Sequence, residues 1–266
     1  RFLRWRIYMQ LRYSLPNWHN FVYYLSGFAF TTTPGKAGEA VRSYFLNRHN
    51  IPYAYSVAAF FAERFLDVAA MGILALLVAF AYEDSHWMVV GLMSALIVAL
   101  PVMRSKWVLL VLLRWQNKYP QEAKLHKLFA QLASMLDSAR LFLANRLLMP
   151  SFILGLLAWA AEGVAFYIIL VYLGLDVPLS IAVGIYSLSA LAGALSFLPG
   201  GLGGTEAIMG LMLIWQGADS PTAVAATLIC RIATLWFAVA IGAIAFYHGG
   251  KISIGAAPAD KAPSEA

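Results

Sequence analysis

The stretch PGKAGEAVRSYFLNRHN, residues 34–50, lies between two strongly apolar runs near the start of the chain. It holds a proline, two glycines and several charged side chains, which a segment that simply crosses a bilayer would not need. Later, PGGLGGTEAIMGLMLIWQG at residues 199–217 again separates two apolar runs. Because both stretches begin with proline and glycine and continue to a glutamate, they are predicted to be equivalent. Their proline-to-glutamate parts, residues 34–39 and 199–206, are here called the first break and the second break.

The composition predicts a membrane protein. The 266 residues are 61% hydrophobic and 12% charged, and their mean hydropathy is +0.72. A soluble domain of this size could not keep so much apolar surface away from water, so the bilayer must be its solvent. The net charge of +6 is assigned to loops that face anionic lipid rather than to nucleic-acid binding. The single cysteine, Cys230, excludes a disulfide framework and a cysteine-rich metal site.

Six apolar segments are predicted to enter the membrane, where a full crossing takes about 20 mostly apolar residues. They cover residues 18–33, 56–81, 87–103, 150–173, 179–198 and 222–247. Lysine and arginine are concentrated ahead of the first segment and in the connection 104–149, whereas the connections that hold Glu83 and Asp84, Asp176, and Asp219 are acidic or neutral. The positive-inside rule therefore predicts a multi-pass protein of the plasma (inner) membrane with both termini cytoplasmic. We expect one transmembrane domain at residues 1–248 and a disordered tail at 249–266.

The basic connection contains an amphipathic pattern. Leu125, Leu128 and Leu132 recur at helical spacing, while Lys124 and Lys127 lie off that stripe. The pattern predicts either an interfacial helix that anchors the protein in the inner leaflet or a docking site for a partner protein.

The chain also contains a weak internal repeat. A shift of 167 residues places Glu39 on Glu206 and Arg64 on Arg231, and the glutamate and the arginine are 25 residues apart in both copies. Repeat 1 covers about residues 18–81 and repeat 2 about residues 179–247. Because the first copy starts on the cytoplasmic side and the second on the outer side, the sequence predicts an all-α fold with an inverted-topology repeat, as in many transporters.

Each break is predicted to be the tip of a re-entrant helical hairpin. The short pieces that follow, residues 39–49 and 206–216, would span roughly 16 Å, about half of the hydrocarbon core. Irregular backbone at that depth is tolerated where it lines a cavity, and helix N-termini that meet there favour an anion. Proline and glycine suit the reversal of direction. The turn residues are Pro34, Gly35, Gly38, Pro199, Gly200, Gly201, Gly203 and Gly204.

Charged side chains inside the predicted membrane region are the candidate substrate-binding residues, because each costs free energy there and needs a partner. They are Lys36, Glu39, Arg42, Glu63, Arg64, Asp67, Glu162, Glu206 and Arg231. In one interpretation they neutralise each other: the two glutamates of the repeat cap the short helices, and Arg64 and Arg231 pair with glutamates. In the other, Arg42, Arg64 and Arg231 line a basic cavity and hold a phosphate, which guanidinium binds bidentately. The two interpretations are compatible if a substrate displaces a glutamate from its arginine.

Glu162 is alone in the middle of its segment. It is predicted to be either a proton-titrating carboxylate or the partner of a buried arginine. We expect no metal site, no cofactor and no catalytic set. The second break lacks the Gly-Lys-Ser/Thr of a nucleotide-binding loop, and the histidines have no ligand spacing.

At these motifs the chain resembles a known family. TPGKAGEAVRSYFL (33–46) with AAFFAERFLD (58–67), and FLPGGLGGTEA (197–207) with AATLICRIA (225–233), resemble the flippase-like transmembrane region of lysylphosphatidylglycerol synthases. LRWRIYM (3–9) is similar to the end of a helix that precedes the first repeat in that family, and the likeness extends over residues 1–248. The chain starts late relative to the family, which implies one or two N-terminal helices that this sequence does not contain. The aminoacyltransferase domain of the synthases is absent from the sequence, so lipid aminoacylation is not carried over.

The resemblance implies movement of a phospholipid or polyprenyl-linked lipid between leaflets. We therefore expect a flippase-like transporter, not an enzyme. Its partners would be the membrane and an anionic lipid of phospholipid or polyprenyl-phosphate type, with a homo-oligomer or a lipid-synthesis protein as further partners. Two other classes stay open. One is a membrane enzyme acting on a lipid phosphate, with Glu39, Glu63 or Asp67 as base. The other is a non-transporting scaffold of a lipid-synthesis enzyme.

Overall fold

A computed structural model of the chain describes residues 1–79, 86–120 and 123–255. Within those ranges the regular elements are all helices, which confirms the predicted all-α class. The α-helices are α1 (Phe2–Gln10), α2 (Asn17–Ser26), α3 (Arg42–Asn47), α4 (Tyr53–Ala79), α5 (His86–Arg104), α6 (Lys106–Asn117), α7 (Lys124–Phe142), α8 (Asn145–Tyr172), α9 (Leu179–Leu195), α10 (Gly204–Trp215), α11 (Ser220–Arg231) and α12 (Phe237–Gly255). Short 3-10 turns cover Gly27–Phe30, Pro34–Val41 and Pro199–Gly201, and a π-helical turn, Ile232–Trp236, joins α11 to α12.

The long helices agree with most of the predicted apolar segments. Two of them, Arg146–Tyr172 and Ser220–Ser253, are long and apolar enough by themselves to cross a bilayer. A third crossing is reached if Met93–Arg104 and Lys106–Asn117 count as one span bent by 57°. The second helix of this bent pair, α6, lies in the stretch that the sequence assigned to the basic connection, so that apolar segment is longer than predicted.

The centre of the fold is the contact between α4 and α9, with α8 packed against both. Glycine permits this close approach. A Cβ atom added to Gly184 of α9 would lie 2.7 Å from the backbone nitrogen of Val78 in α4. One added to Gly163 of α8 would lie 2.9 Å from the Cα of Val183. Small residues at such crossings let helix backbones approach closely where no hydrophobic effect drives association, as in a membrane interior.

The amphipathic pattern at residues 124–142 does form a helix, α7. Its C-terminal part is packed inside the protein, where Ala139 and Phe142 are buried against a cluster that includes residues of α4. Its N-terminal leucines, Leu125, Leu128 and Leu132, are exposed. The apolar stripe is therefore divided between the protein core and an exposed surface, and the predicted anchoring role applies only to the exposed half.

The predicted disordered tail begins too early. Helix α12 continues to Gly255, and Ser253 is buried. The Arg48 guanidinium donates a hydrogen bond to the Ser253 carbonyl oxygen at 3.2 Å, which ties the end of the helix to the region after the first break. The prediction of disorder is wrong for residues 249–255, and residues 256–266 lie outside the described ranges.

The two breaks have different backbones. In the first break Pro34–Val41 forms a 3-10 turn and α3 begins only at Arg42, so Glu39 precedes the α-helix that it was predicted to start. Gly38 serves close packing there, because a Cβ atom would lie 2.6 Å from that of Phe30. In the second break the backbone reverses through left-handed glycines, as predicted: the φ angles of Gly200, Gly201 and Gly203 are 63°, 66° and 86°.

The two breaks contact each other although they are far apart in sequence. A Cβ atom on Gly200 would lie 3.5 Å from the Cα of Thr32, which is two residues before the start of the first break. The same atom would lie 3.4 Å from the Leu235 side chain in the π-helical turn. The meeting of two irregular segments leaves a space between the long helices, and this space contains the candidate site.

Candidate binding cavity

A cavity of about 670 Å³ lies between α4, α8, α9, the π-helical turn and the two breaks. Five of the predicted binding residues line it: Glu39, Arg64, Asp67, Glu162 and Arg231. Sequence reasoning did not identify Arg1, Thr31, Trp159, Tyr186 and Thr205, which also line it. The side chain of Lys36 lies outside the part of the chain whose side chains the structure describes.

Arg64 of α4 forms the first charged side of the cavity. Its Nη2 atom lies 2.9 Å from Asp67 Oδ2 but 3.9 Å from Glu39 Oε2, so Asp67 is the closer partner. Glu39 accepts a short hydrogen bond from the Thr31 hydroxyl. The carboxylate of the first break is thus oriented by a neutral donor and lies at the edge of ion-pair distance from the arginine.

Asp67 links Arg64 to charges that are buried behind the cavity wall. Its Oδ1 atom accepts a hydrogen bond from Arg4 Nη2 at 2.8 Å. Arg4 Nε in turn lies 3.5 Å from Glu63 Oε1, and Glu63 Oε2 lies 2.8 Å from Arg42 Nη2. Five charges of alternating sign, here called the ion chain, therefore run from the cavity into the interior. A buried charge needs such partners, because desolvation alone would make it unfavourable.

Arg42 does not line the cavity, contrary to the basic-cavity interpretation. Its guanidinium is buried at the inner end of the ion chain and lies over the Trp5 ring, 3.8 Å from the ring centroid. The ion pair with Glu63 and the cation–π contact with Trp5 stabilise the guanidinium there. Glu63 is likewise buried outside the cavity lining. These two predicted residues are placed for structure rather than for contact with a ligand.

Arg231 forms the second charged side of the cavity, at the end of α11. Its Nε atom lies 2.5 Å from Glu206 Oε1, and its Nη2 atom donates a hydrogen bond to the Gly200 carbonyl oxygen at 2.6 Å. Glu206 Oε2 accepts a hydrogen bond from the Gly203 backbone nitrogen at 2.7 Å, which caps α10 as predicted. One carboxylate therefore both caps a helix and neutralises an arginine.

Glu162 of α8 is the partner of an arginine, one of its two predicted roles. Its Oε1 atom lies 2.8 Å from Arg1 Nη2, and its Oε2 atom accepts a hydrogen bond from the Tyr186 hydroxyl at 2.5 Å. Arg1 also lies over Trp159, 4.1 Å from the ring centroid. The sequence had assigned Arg1 and Arg4 to a basic cytoplasmic segment. No local signal distinguishes an arginine that faces solvent from one that packs against distant helices.

The wall of the cavity beside Arg231 is built by the π-helical turn Ile232–Trp236. Ala233, Thr234 and Leu235 from this turn line the cavity, and the Thr234 hydroxyl donates to the Cys230 carbonyl oxygen at 2.8 Å. Single π-helical turns occur frequently at functional sites, because they shift the register of side chains within a helix. The sequence carries no signal for this turn.

The charges on the described cavity wall balance. Arg1, Arg64 and Arg231 face Glu39, Asp67 and Glu162, and Glu206 lies just behind. The neutralisation that was predicted for the two repeat arginines is therefore present, with Asp67 as the additional partner. Within the described ranges there is also no cluster of three His, Cys, Asp or Glu side chains that could hold a metal ion.

These features define a class: a membrane protein whose regular elements are all helical throughout its described residues, with a cavity whose wall carries paired charges. Comparison with known proteins gives the family. The model of the lysylphosphatidylglycerol synthase transmembrane region matches residues 1–242, and the chain belongs to that family. It is therefore an integral membrane protein.

Similar proteins include three matches to proteins named only as UPF0104 membrane proteins. One from Methanothermobacter thermautotrophicus is 26% identical over 277 aligned residues, which cover 94% of this chain and 82% of that protein. A match in the same organism is 36% identical over 93 residues, covering 35% of this chain and 28% of the relative. One from Pyrococcus horikoshii is 23% identical over 248 residues, which cover 84% of this chain and 74% of that protein. No solved structure matches the chain.

Proposed function

We propose that this protein is a flippase-like transporter that moves a lipid with an anionic, phosphate-containing headgroup between membrane leaflets. The lipid is a phospholipid or a polyprenyl-phosphate-linked lipid, and it leaves chemically unchanged. The observation that carries the proposal is the cavity of about 670 Å³, large enough for a polar headgroup, with arginines from both halves of the chain on its wall. Guanidinium groups are the side chains best suited to bind phosphate at close range.

The balanced charges support binding by exchange. A phosphate that enters the cavity takes the place of a carboxylate beside an arginine, and the displaced carboxylate then needs a proton or another hydrogen-bond donor, because an uncompensated charge is unfavourable in the membrane interior. Glu39 is suited to release, because Arg64 lies 3.9 Å away and keeps Asp67 as a partner. Glu206 is also suited to release, because it retains its hydrogen bond to the Gly203 backbone nitrogen.

The contact between the two breaks supports an alternating-access mechanism. The pairs Glu39–Arg64 and Glu206–Arg231 have the same sequence spacing, and the two arginines line one cavity from opposite halves of the chain. In the proposed arrangement the halves are inverted repeats, the breaks are re-entrant tips, and both termini are cytoplasmic in the inner membrane. Rocking of one repeat against the other then exposes the headgroup site to each leaflet in turn.

The test is lipid translocation in proteoliposomes with fluorescent phosphatidylglycerol, fluorescent phosphatidylcholine and a polyprenyl phosphate. We expect the wild type to move an anionic lipid faster than the zwitterionic lipid. Arg64→Ala and Arg231→Ala should each reduce that rate by about tenfold or more, since a charge-assisted hydrogen bond contributes about 1.5–3 kcal/mol. Arg114→Ala, an exposed arginine on α6, is the matched control and should keep the wild-type rate.

Two results would reject the proposal. Movement of every lipid at the rate of empty liposomes would leave the protein without the proposed activity. Conversion of the lipid to a new species, detected by mass spectrometry of the recovered lipid, would make the protein an enzyme.

A further inference from the structure

The exposed part of the described cavity wall is apolar. Its deep residues are buried, among them Asp67, Trp159 and Tyr186. The wall residues that are exposed are Leu195, Phe197, Leu198, Ala233 and Phe237. These five residues, here called the mouth, come from the end of α9, the approach to the second break, and the turn that leads into α12.

An apolar mouth fits an opening into lipid better than an opening into water. Phe197 is 71% exposed and Phe237 is 61% exposed. A mouth that admits a water-soluble anion would gain nothing from exposed phenyl rings, which cost free energy in water and none in hydrocarbon. The polar part of the wall begins behind these rings, at the buried and half-buried charges. The cavity wall thus changes from apolar at the mouth to charged inside. A lipid whose headgroup lies in the cavity and whose apolar chain lies at the mouth would match this order.

The backbone at the mouth is held in an unfavourable conformation. Phe197 has a φ angle of 54°, in the left-handed region that residues with a Cβ atom adopt only at a cost. The Ser196 hydroxyl fixes this turn, since it donates to the Gly193 carbonyl oxygen at 2.8 Å and accepts from the Leu198 backbone nitrogen at 3.3 Å. The turn is thus built to keep a phenyl ring at the cavity rim.

We propose that the mouth is a lateral entry through which the cavity takes its ligand from the hydrocarbon, with the acyl or prenyl chain left outside against Phe197 and Phe237. This rests on the proposed function and adds to it the place at which the lipid enters the cavity. The ligand is an amphiphile in which a phosphate is joined to at least one long apolar chain. Soluble phosphates and phosphate esters without such a chain are not ligands, because they have no favourable contact with the mouth.

The first experiment locates the acyl chain of the bound lipid. The protein is placed in nanodiscs that contain phosphatidylglycerol with a diazirine near the middle of one acyl chain, and the adducts are mapped by mass spectrometry after illumination. We expect adducts at Leu195, Phe197 and Phe237 that decrease at least fivefold when unlabelled phosphatidylglycerol is in excess. Excess glycerol phosphate should leave them unchanged. Adducts spread evenly over the exposed apolar residues, or equal competition by glycerol phosphate, would overturn the inference.

The second experiment tests the mouth in transport. Phe197→Asp places a charge where the acyl chain should lie, and it should slow the translocation of long-chain phosphatidylglycerol at least tenfold. The translocation rate of Phe197→Leu should stay within about twofold of the wild-type rate. Leu211→Asp on α10 is the matched control, because Leu211 is exposed but does not line the cavity. An unchanged rate in Phe197→Asp would overturn the inference and leave the transport function standing. Specific adducts at the mouth without translocation by the wild type would support the entry and reject the transport function.

Discussion

The two glutamate–arginine pairs have the same spacing in sequence but different surroundings. Arg64 belongs to the ion chain, in which Asp67 connects it to the buried Arg4 and onward to Glu63 and Arg42. Arg231 has one carboxylate, Glu206, and one backbone carbonyl, that of Gly200. At the position that the repeat aligns with Asp67 there is Thr234, and at the position aligned with Glu63 there is Cys230.

This difference indicates that the two glutamate–arginine pairs have different roles. An arginine held by several buried charges has little freedom to move, and loss of a partner there leaves an uncompensated charge. An arginine held by one partly exposed carboxylate and one carbonyl can exchange that carboxylate at small cost. We therefore expect loss of the ion-chain carboxylate Asp67 to act mainly on stability, and loss of Glu206 to act mainly on ligand binding. Three substitutions test this contrast.

The largest effect on stability is expected from Asp67→Ala. It removes the carboxylate that lies 2.8 Å from Arg4 Nη2 and 2.9 Å from Arg64 Nη2, so two arginines lose their nearest partner. Breaking a buried pair in this way costs about 3–5 kcal/mol. Thermal unfolding in detergent should show a large fall in Tm, with a smaller fall for the isosteric Asp67→Asn. A Tm within the error of wild type would remove the distinction between the two pairs.

A smaller effect on stability is expected from Gly155→Ala in α8, a position that is not itself charged. The added Cβ atom would lie 2.8 Å from Arg4 Nη1 and 3.6 Å from Asp67 Oδ1. The guanidinium must shift, and overpacking of this kind costs about 1–3 kcal/mol. Gly210→Ala is the matched control, because a Cβ atom there meets nothing within 4 Å. Equal unfolding temperatures for the two variants would show that the ion chain tolerates displacement.

The smallest effect on stability, together with a clear effect on the ligand, is expected from Glu206→Gln. The amide oxygen of glutamine can still accept the hydrogen bond from Gly203, so α10 keeps its cap. The loss of this ion pair should cost less stability than the loss of Asp67, because Glu206 is partly exposed and Arg231 keeps its hydrogen bond to the Gly200 carbonyl oxygen. Because Arg231 no longer has a competing carboxylate, the anionic lipid should half-saturate transport at a several-fold lower mole fraction. An unchanged or higher half-saturation point would contradict exchange at this arginine.

Much of the fold could be predicted from local sequence. Apolar segments of the right length gave the membrane class and most of the helices, and the left-handed glycines of the second break were predicted from residue type. Errors occurred where one pattern allowed two structures. The sequence KWVLLVLLRWQN of α6 is apolar but lies between basic residues, and it was therefore assigned to a connection. The first break was expected to turn through glycine like the second, but its backbone forms a 3-10 helix.

The site was predicted less completely than the fold. Glu39, Arg64, Asp67, Glu162 and Arg231 were identified as binding candidates because charge is costly inside a membrane, and all five line the cavity. The same rule could not separate these residues from Arg42 and Glu63, which carry the same cost but lie buried outside the cavity. The rule also missed the aromatic residues of the cavity wall, Trp159 and Tyr186, because aromatic residues are common throughout an apolar chain.

The sequence by itself determined that the chain is helical, that it belongs in a bilayer, and that charges inside it must find partners. Hydropathy and the cost of an isolated charge are local properties, so they can be read from composition and spacing. Only the tertiary structure decided which charges meet: Arg1 with Glu162, Arg4 with Asp67, and Arg42 with Glu63. These pairings join helices that are distant in sequence, and they depend on helix packing, which no local pattern encodes.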